Sequence, residues 1–241
     1  MAVINGHTIK KDGVMVSKKV EKPIQLTTLK ELNSFPETYR YAMGLLNSKS
    51  FFRLPNNLEA DRVLNDNNGY VFTKPEIFWL GTGLIYEAPE KEFKSNVEYV
   101  FGQGKWRFIA EIPKRFQGKK DTALVIEQPF WEIDWNSNVY SFKSNPKHMT
   151  AVEAFPVESM WALTDPNTGI PSGAKMTREN MNARYLLRNE GLPWVGSLVR
   201  GTSDLYGINM RRTIIASHEP NETCSVFVVN TRNASNNTDY D

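Results

Sequence analysis

Between residues 70 and 161 the sequence consists of short runs of β-branched and aromatic residues, interrupted at brief intervals by Gly, Pro, Asn and Lys. Runs of this composition suit a pleated, half-buried surface, and the interruptions are typical of turns between neighbouring strands. The pattern therefore predicts a mainly antiparallel sheet, folded as a sandwich or a barrel. The predicted strands cover residues 70–72, 77–86, 97–101, 106–112, 123–127, 130–135, 139–142 and 152–155.

One of these runs also predicts which side chains are buried. Trp131, Ile133 and Trp135 alternate with Glu132 and Asp134. Because successive side chains of a strand point to opposite faces, the first three are expected in the core and the two carboxylates at the surface.

Helical signals occur on both sides of the strand-rich region. Thr28 and Glu31 have the spacing of a capping box, and Pro36 is expected to end the first helix and start a second one that reaches residue 48. Thr177 precedes a third candidate helix that ends before Gly191. The predicted fold class is α+β, with a mainly antiparallel sheet flanked by helices over residues 28–48 and 177–190.

The N-terminal residues have the pattern of an exposed β-hairpin. Apolar residues flank the turn signal Asp12-Gly13, and lysines stand at positions 10, 11, 18 and 19. A two-stranded ribbon is marginally stable alone, so it is expected to pack on its own domain or on a neighbouring chain. Residues 1–20 are therefore interpreted as an N-terminal hairpin arm.

The rest of the chain divides into three further parts. Residues 21–69 are predicted to form a helical segment packed on the core, and residues 70–232 the main β-rich domain. Within that domain, residues 165–173 are expected to form an exposed loop, and residues 213–216 and 224–230 to pair with each other. Residues 233–241 are a polar C-terminal tail.

Composition restricts the class of protein. Hydrophobic residues make up 40% of the 241 residues, enough for a packed core, and the net charge of +2 lacks the basic excess of a general nucleic-acid binder. The single cysteine excludes an internal disulfide and favours a reducing compartment. Neither a secretory signal nor an apolar run of membrane-spanning length is recognisable. The expectation is a cytoplasmic protein, in the host cytoplasm and virion if it is viral, with no membrane partner.

Common catalytic and cofactor motifs are absent from the sequence. There is no phosphate-binding P-loop, nucleophile elbow, zinc-protease helix or Cys-x-x-Cys pair, and no cofactor is expected. The two Gly-x-Gly sites, at residues 81–83 and 102–104, lack the third glycine of a dinucleotide site. Cys224 lies in an apolar run across a turn from His218, and it is interpreted as a buried structural residue and not as a nucleophile.

A metal-dependent nuclease is one alternative function. Carboxylates from several strands can converge on Mg²⁺, and Glu92-Phe93-Lys94 has the acid-x-Lys spacing of many such enzymes. Solvated strand faces account for the same residues more simply. If the chain is an enzyme, the candidate catalytic residues are Glu111, Glu127, Glu132 and Asp134.

A single-stranded nucleic-acid-binding module is a second alternative. A binding groove of this kind combines basic residues that contact phosphates with aromatic residues on which bases stack. The candidate aromatic residues are Trp106, Phe116 and Trp135. A solvated hairpin tip and ordinary lysines on an edge strand are the simpler interpretation. The candidate nucleic-acid-binding residues are Lys114, Arg115, Lys119, Lys120, Arg211 and Arg212.

The lysine-edged ribbon, the aromatic strands and the lack of a catalytic motif together favour a non-enzymatic role. The leading hypothesis is a structural subunit of a multi-protein assembly, with a virus or phage particle as the preferred setting. Its expected partners are copies of itself or other chains of the assembly, joined by strand addition and terminal arms.

Overall fold

The computed structural model of the chain describes residues 3–4, 7–9, 15–17, 26–32, 40–41, 52–65, 77–101, 104–127, 131–142, 149–153, 161–175, 183–187, 191–201, 213–216 and 224–230. They include one α-helix of nine residues, α1 (Asn57–Asn65), and a 3-10 helix at Lys114–Phe116. The strands are β1 (Val3–Ile4), β2 (His7–Ile9), β3 (Met15–Ser17), β4 (Leu26–Leu32), β5 (Phe52–Arg53), β6 (Ile77–Tyr86), β7 (Asn96–Phe101), β8 (Trp106–Glu111), β9 (Thr122–Glu127), β10 (Trp131–Asp134), β11 (Val139–Phe142), β12 (Met149–Glu153), β13 (Trp161–Thr164), β14 (Pro171–Lys175), β15 (Ala183–Leu187), β16 (Trp194–Gly201), β17 (Thr213–Ile215) and β18 (Cys224–Asn230).

Strand β6 is the centre of the larger sheet. Its sequence is apolar almost without interruption, and nine of its ten residues are buried, as expected for a strand covered on both faces. It pairs antiparallel with β9 and β16, and in parallel with β18 where Ser225 lies opposite Phe78. The strand order is β12-β9-β6-β16-β17-β15-β13-β14, and β18 also pairs with β4 and β5.

A second sheet of four strands, in the order β10-β11-β8-β7, packs against the larger sheet. Buried and more exposed residues alternate along each of its strands, as period-2 patterning requires when only one face meets the core. Its inner face is rich in aromatic side chains. Phe108 stacks on Tyr140 with ring centroids 4.6 Å apart and meets Trp131 edge-on at 5.9 Å.

Aromatic contacts join the two sheets. Tyr99 of β7 lies 6.2 Å from Phe108 and 6.1 Å from Trp194 of β16, and Trp194 stacks on Tyr86 of β6 at 6.3 Å between centroids. Each such pair adds roughly 0.5–1.5 kcal/mol beyond the burial of its area. One hydrophobic cluster includes buried residues of both sheets, so the two layers share a core. The β-rich, mainly antiparallel prediction is confirmed at this level, and the architecture is compatible with a sandwich.

The N-terminal strands form a third, small sheet in the order β1-β2-β3. Strands β2 and β3 pair antiparallel on either side of residues 10–14, with Thr8 opposite Val16, as the Asp12-Gly13 turn signal predicts. Strand β1 adds a third strand, with Val3 opposite Thr8. The ribbon is thus three-stranded and not the simple hairpin expected.

The helix predicted to begin at residue 28 is wrong. Residues Leu26–Leu32 form strand β4, which pairs antiparallel with β18 over six partners. The Thr28–Glu31 capping pattern is a local preference of about 1 kcal/mol, whereas pairing with the β-branched strand β18 satisfies a whole row of main-chain groups. Of the second predicted helix, residues 40 and 41 are helical, and residues 33–39 and 42–48 lie outside the described residues.

The helix predicted over residues 177–190 is also wrong where the structure describes it. Ala183–Leu187 form strand β15, which lies between β13 on one side and β17 on the other. Its main-chain groups bond to two neighbouring strands that are distant in sequence, and this arrangement overrides the local helical pattern. Residues 176–182 and 188–190 lie outside the described residues.

Two further expectations differ from the structure. Strands β17 and β18 were predicted to pair with each other, but β17 pairs with β15 and β16, and β18 pairs with β4, β5 and β6. The loop predicted over residues 165–173 is only partly a loop, because Pro171–Lys175 form β14 and Thr168, Gly169 and Ile170 are buried.

The alternation predicted for strand β10 holds until the strand ends. Trp131 is buried, Ile133 packs on the core, and Glu132 and Asp134 are exposed. Trp135 keeps 46% of its surface exposed, against the prediction. It stands in the turn after Asp134, where the alternation of a strand no longer applies.

Among the described residues, no helix has the length and hydropathy needed to cross a membrane.

Candidate functional site

A polar cluster surrounds the start of α1. Asn56 and Glu59 form a reciprocal capping box, in which the Glu59 backbone N–H donates to Asn56 Oδ1 and the Asn56 N–H donates to Glu59 Oε2, each at 2.8 Å. Arg53 donates to both Glu59 oxygens at 2.7 and 2.6 Å. This fork geometry is the strongest form of an Arg–carboxylate pair, and it fixes β5 against the helix.

The hydroxyl of Thr82 links the helix to strand β9. Thr82 Oγ1 accepts a 2.9 Å hydrogen bond from the Asn57 backbone N–H and donates a 3.0 Å bond to Glu127 Oε2. Thr82 and Glu127 are direct partners across β6 and β9. The first turn of α1 therefore bonds to a side chain of the central strand, which bonds in turn to a carboxylate.

Glu127 is the described carboxylate with the largest resolved pKa change. Burial raises its pKa to about 7, and the negative charge of Glu59 adds to the increase. The Thr82 hydrogen bond and the Arg53 charge oppose this change. Because desolvation disfavours the charged form, this carboxyl group exchanges a proton near neutral pH.

The other side of α1 is held by a buried cation. Arg200, on β16, is fully buried and places Nη1 3.0 Å from Asn57 Oδ1 and 2.8 Å from Asp61 Oδ1. Asn57 also donates through Nδ2 to the Thr168 carbonyl at 3.0 Å. Gly169 has φ +67°, and a Cβ there would lie 2.7 Å from Asn57 Nδ2, so only glycine allows this close approach.

The four carboxylates predicted for a nuclease are divided between the two sheets. Glu127 belongs to the polar cluster, whereas Glu111, Glu132 and Asp134 are exposed on the four-stranded sheet. Asp134 accepts from the Ser137 hydroxyl at 2.6 Å and from the Asn136 N–H at 2.9 Å, and these bonds lower its pKa. In the described part of the chain, no group of three or more His, Cys, Asp or Glu residues has an arrangement suited to a metal ion.

The acid-x-Lys segment lies in a loop and not on a strand. Glu92 and Lys94 are exposed on either side of the buried Phe93, and Glu92 forms a 3.6 Å ion pair with Lys120. These residues border an open surface depression together with Glu87, Glu90 and Lys91. Lysines and glutamates are mixed along its rim, so it has no dominant charge.

Four of the six predicted nucleic-acid-binding residues lie around one turn. Lys114 and Arg115 are on the 3-10 helix, and Lys119 and Lys120 follow it. Phe116 is buried, and the Arg115 guanidinium carbon and Lys119 Nζ lie 4.5 and 5.5 Å from its ring centroid. The ring is therefore already covered by cations of its own chain. Arg211, Arg212 and His218 lie outside the described residues, as does the Cys224 side chain.

The outer face of the four-stranded sheet is the second surface of interest. The register aligns Val100, Arg107, Val139 and Asp134 in one row across the sheet. A second row contains Glu98, Ile109, Ser141 and Glu132, and Glu111 lies beside Asn96 at the end. We call these ten residues the outer face. Its four carboxylates and one guanidinium give a net charge of −3.

Apolar side chains are exposed on and beside this face. Val100 keeps 50% of its surface accessible, and Ile109 and Val139 are partly exposed. Trp135, in the adjoining turn, has the Arg40 guanidinium carbon 4.4 Å from its ring centroid. Arg107 binds both oxygens of Glu98, at 2.7 and 3.1 Å, which orders the centre of the face.

Sequence reasoning missed most of the polar cluster. Arg53, Asn57, Glu59 and Arg200 were not predicted as site residues, although the Asn56–Glu59 spacing and the apolar positions 60, 63 and 64 are a recognisable helix signal. Arg200 has no local signal, because its partners are 139 and 143 residues away along the chain.

Comparisons of the chain with protein-family models, with curated proteins and with solved structures find no match.

Proposed function

We propose that this chain is a non-enzymatic structural subunit of a multi-protein assembly, with a virus or phage particle as its setting. It interacts with copies of itself or with other chains through strand addition and terminal arms. The observation that carries this proposal is the three-stranded N-terminal sheet. Among the strands that the structure describes, its members pair with each other and not with the two larger sheets. Its strands are only two or three residues long, and so short a ribbon is expected to gain stability by packing on another surface.

The outer face supports the same proposal. Exposed Val100 and Trp135 stand among charged residues on a sheet whose inner face is filled with aromatic side chains. Apolar residues rimmed by polar ones are typical of protein interaction surfaces. The two packed sheets thus supply a surface that a partner can bind, and the N-terminal ribbon supplies a segment that can bind a surface of another chain.

The native mass of the full chain tests the proposal. Sedimentation velocity on the protein in its source extract and after purification is expected to show a species several times heavier than the 27.6 kDa chain. Deletion of residues 1–20 is expected to leave the unfolding temperature nearly unchanged while the large species disappears. A chain that stays monomeric at high concentration and in its source extract would refute the assembly function.

A metal-dependent nuclease is the second candidate, and the observation that favours it is Glu127. A mostly buried carboxylate with a pKa near 7 is suited to act as a general base. Incubation of DNA and RNA with the protein and Mg²⁺ or Mn²⁺ tests this candidate. Cleavage that is lost in Glu127→Ala but kept in Asp134→Ala, whose carboxylate lies on the other sheet, would support it, and no cleavage by the wild type would exclude those substrates.

Binding to single-stranded nucleic acid is the third candidate. The clustering of Lys114, Arg115, Lys119 and Lys120 around one turn favours it. An oligonucleotide should then bind with an affinity that falls steeply as salt rises, because phosphate contacts release counterions. The double variant Lys114→Glu/Lys119→Glu would abolish that binding, and Lys91→Glu/Lys94→Glu is the matched control of equal charge change.

A further inference from the structure

We infer that the outer face of the four-stranded sheet is the docking site for the N-terminal ribbon of a second copy of this chain. This inference rests on the proposed assembly function and names the partner and the surface. It concerns residues 1–20 of one copy and the ten outer-face residues of another.

Charge complementarity selects the ribbon as the occupant. The outer face carries Glu98, Glu111, Glu132 and Asp134 against Arg107, a net charge of −3. Residues 1–20 carry four lysines and one aspartate, a net charge of +3, in a chain whose total charge is only +2. Opposite potentials of similar size steer association and disfavour contact between two faces or two ribbons.

Apolar residues are present on both partners. The face exposes Val100, with Ile109 and Val139 on the neighbouring strands of the same rows. The ribbon strands contain Val3, Ile4, Ile9, Met15 and Val16. Sheets that pack face to face bury such side chains between them, and this burial supplies affinity that charges at the rim do not.

The face is prepared to receive a partner without rearrangement. The bidentate Arg107–Glu98 pair orders its centre, and Asp134 is held by the Ser137 hydroxyl and the Asn136 N–H. Beneath it, stacked Phe108 and Tyr140 belong to the shared core. A rigid surface loses little conformational entropy when it is covered, so its contacts contribute more fully to binding.

A head-to-tail contact results, since the ribbon and the outer face are different surfaces of the same chain. Each copy offers one ribbon and one face, so association by this contact forms rings or open filaments and not only pairs. Such geometry agrees with a subunit that builds a large particle.

Charge reversal in the full chain tests this inference. Glu111→Lys/Glu132→Lys changes the face charge from −3 to +1, and Lys10→Glu/Lys18→Glu changes the ribbon charge from +3 to −1. Each double variant alone is expected to weaken self-association by roughly tenfold or more in sedimentation velocity at low salt. A 1:1 mixture of the two, or one chain with all four substitutions, is expected to restore it.

Matched controls separate a local contact from a general charge effect. Glu90→Lys/Glu153→Lys and Lys91→Glu/Lys94→Glu change exposed residues elsewhere by the same charge and should leave association unchanged. Near-ultraviolet circular dichroism verifies that each variant is folded. Suppose that the wild type associates, but that neither charge reversal weakens this association or the 1:1 mixture does not restore it. The docking site is then wrong, and the assembly function is unaffected. A wild type that never associates with itself overturns the docking site, and it overturns the assembly function as well if the chain is also monomeric in its source extract.

Discussion

Thr82 and Glu127 are direct partners across strands β6 and β9, and the Thr82 hydroxyl donates a 3.0 Å hydrogen bond to the Glu127 carboxylate. The same hydroxyl accepts a bond from the Asn57 N–H at the start of α1. One side chain thus couples the helix position to the protonation of a mostly buried acid.

The stability of the protein is expected to depend on pH through Glu127. Its pKa is about 7 in the folded protein, against an ordinary value of 4.5, so the folded state binds the proton more tightly. The associated stabilisation is complete below about pH 4.5 and is lost as pH rises through 7. From the size of the change, the loss is roughly 3–4 kcal/mol, because each pKa unit corresponds to about 1.4 kcal/mol.

Glu127→Gln should remove this dependence. Urea unfolding at pH 5 and pH 8.5 is expected to show the variant within about 1 kcal/mol of the wild type at the lower pH and more stable by about 3 kcal/mol at the higher pH. Glu132→Gln, an exposed glutamate on β10, is the control and should show no such difference. If the unfolding free energies of the wild type and Glu127→Gln change with pH by the same amount, the burial assigned to the Glu127 carboxyl group is wrong.

Thr82→Val should lower the free energy of unfolding by about 2–3 kcal/mol. Valine has the same shape but leaves the Asn57 N–H without its acceptor in a buried setting and Glu127 without its donor in a partly buried one. Because the Thr82 bond lowers the pKa of Glu127, the variant should also shift the pH-dependent loss of stability to higher pH. Thr150→Val, at an exposed position of β12, is the control for the loss of a hydroxyl group.

Gly169→Ala should destabilise the protein more than Gly118→Ala. Both glycines have positive φ, +67° and +79°, so alanine is strained by about 1–2 kcal/mol at either position. Only at Gly169 would the new Cβ meet a side chain, 2.7 Å from Asn57 Nδ2, which adds roughly 1–3 kcal/mol. Equal losses in thermal unfolding would show that the loop moves away from α1 at little cost.

Trp194→Ala should cost about 3–5 kcal/mol of unfolding free energy, as expected for a buried aromatic residue. Its ring contacts Tyr86 in the same sheet and Tyr99 in the opposite sheet, so its removal opens the layer between them. Trp135→Ala removes a side chain that is 46% exposed and should cost less than about 1 kcal/mol. Chemical denaturation of both variants would measure this difference, and a similar cost for both would argue against the ring contacts across the layers.

Within the strand-rich region, the sequence alone determined most elements with little error. Residues 77–86 and 139–142 were predicted with the observed bounds, and Trp131 and Glu132 lie on the predicted faces. These features depend on a period of two residues and on β-branched composition, which can be recognised within a few positions. The Asp12-Gly13 turn is local in the same sense, and the pairing of β2 with β3 agrees with it.

Tertiary structure decided the conformation of the segments whose local sequence pattern favours a helix. Leu26–Leu32 and Ala183–Leu187 have helical signals but pair as strands with β18 and with β13 and β17. The polar cluster likewise depends on contacts between distant residues, since Arg200 reaches Asn57 across 143 positions. A capping signal contributes about 1 kcal/mol, whereas a strand between two neighbouring strands has all its main-chain groups hydrogen-bonded. Because those neighbours are distant in sequence, no short window of sequence contains this contribution to stability.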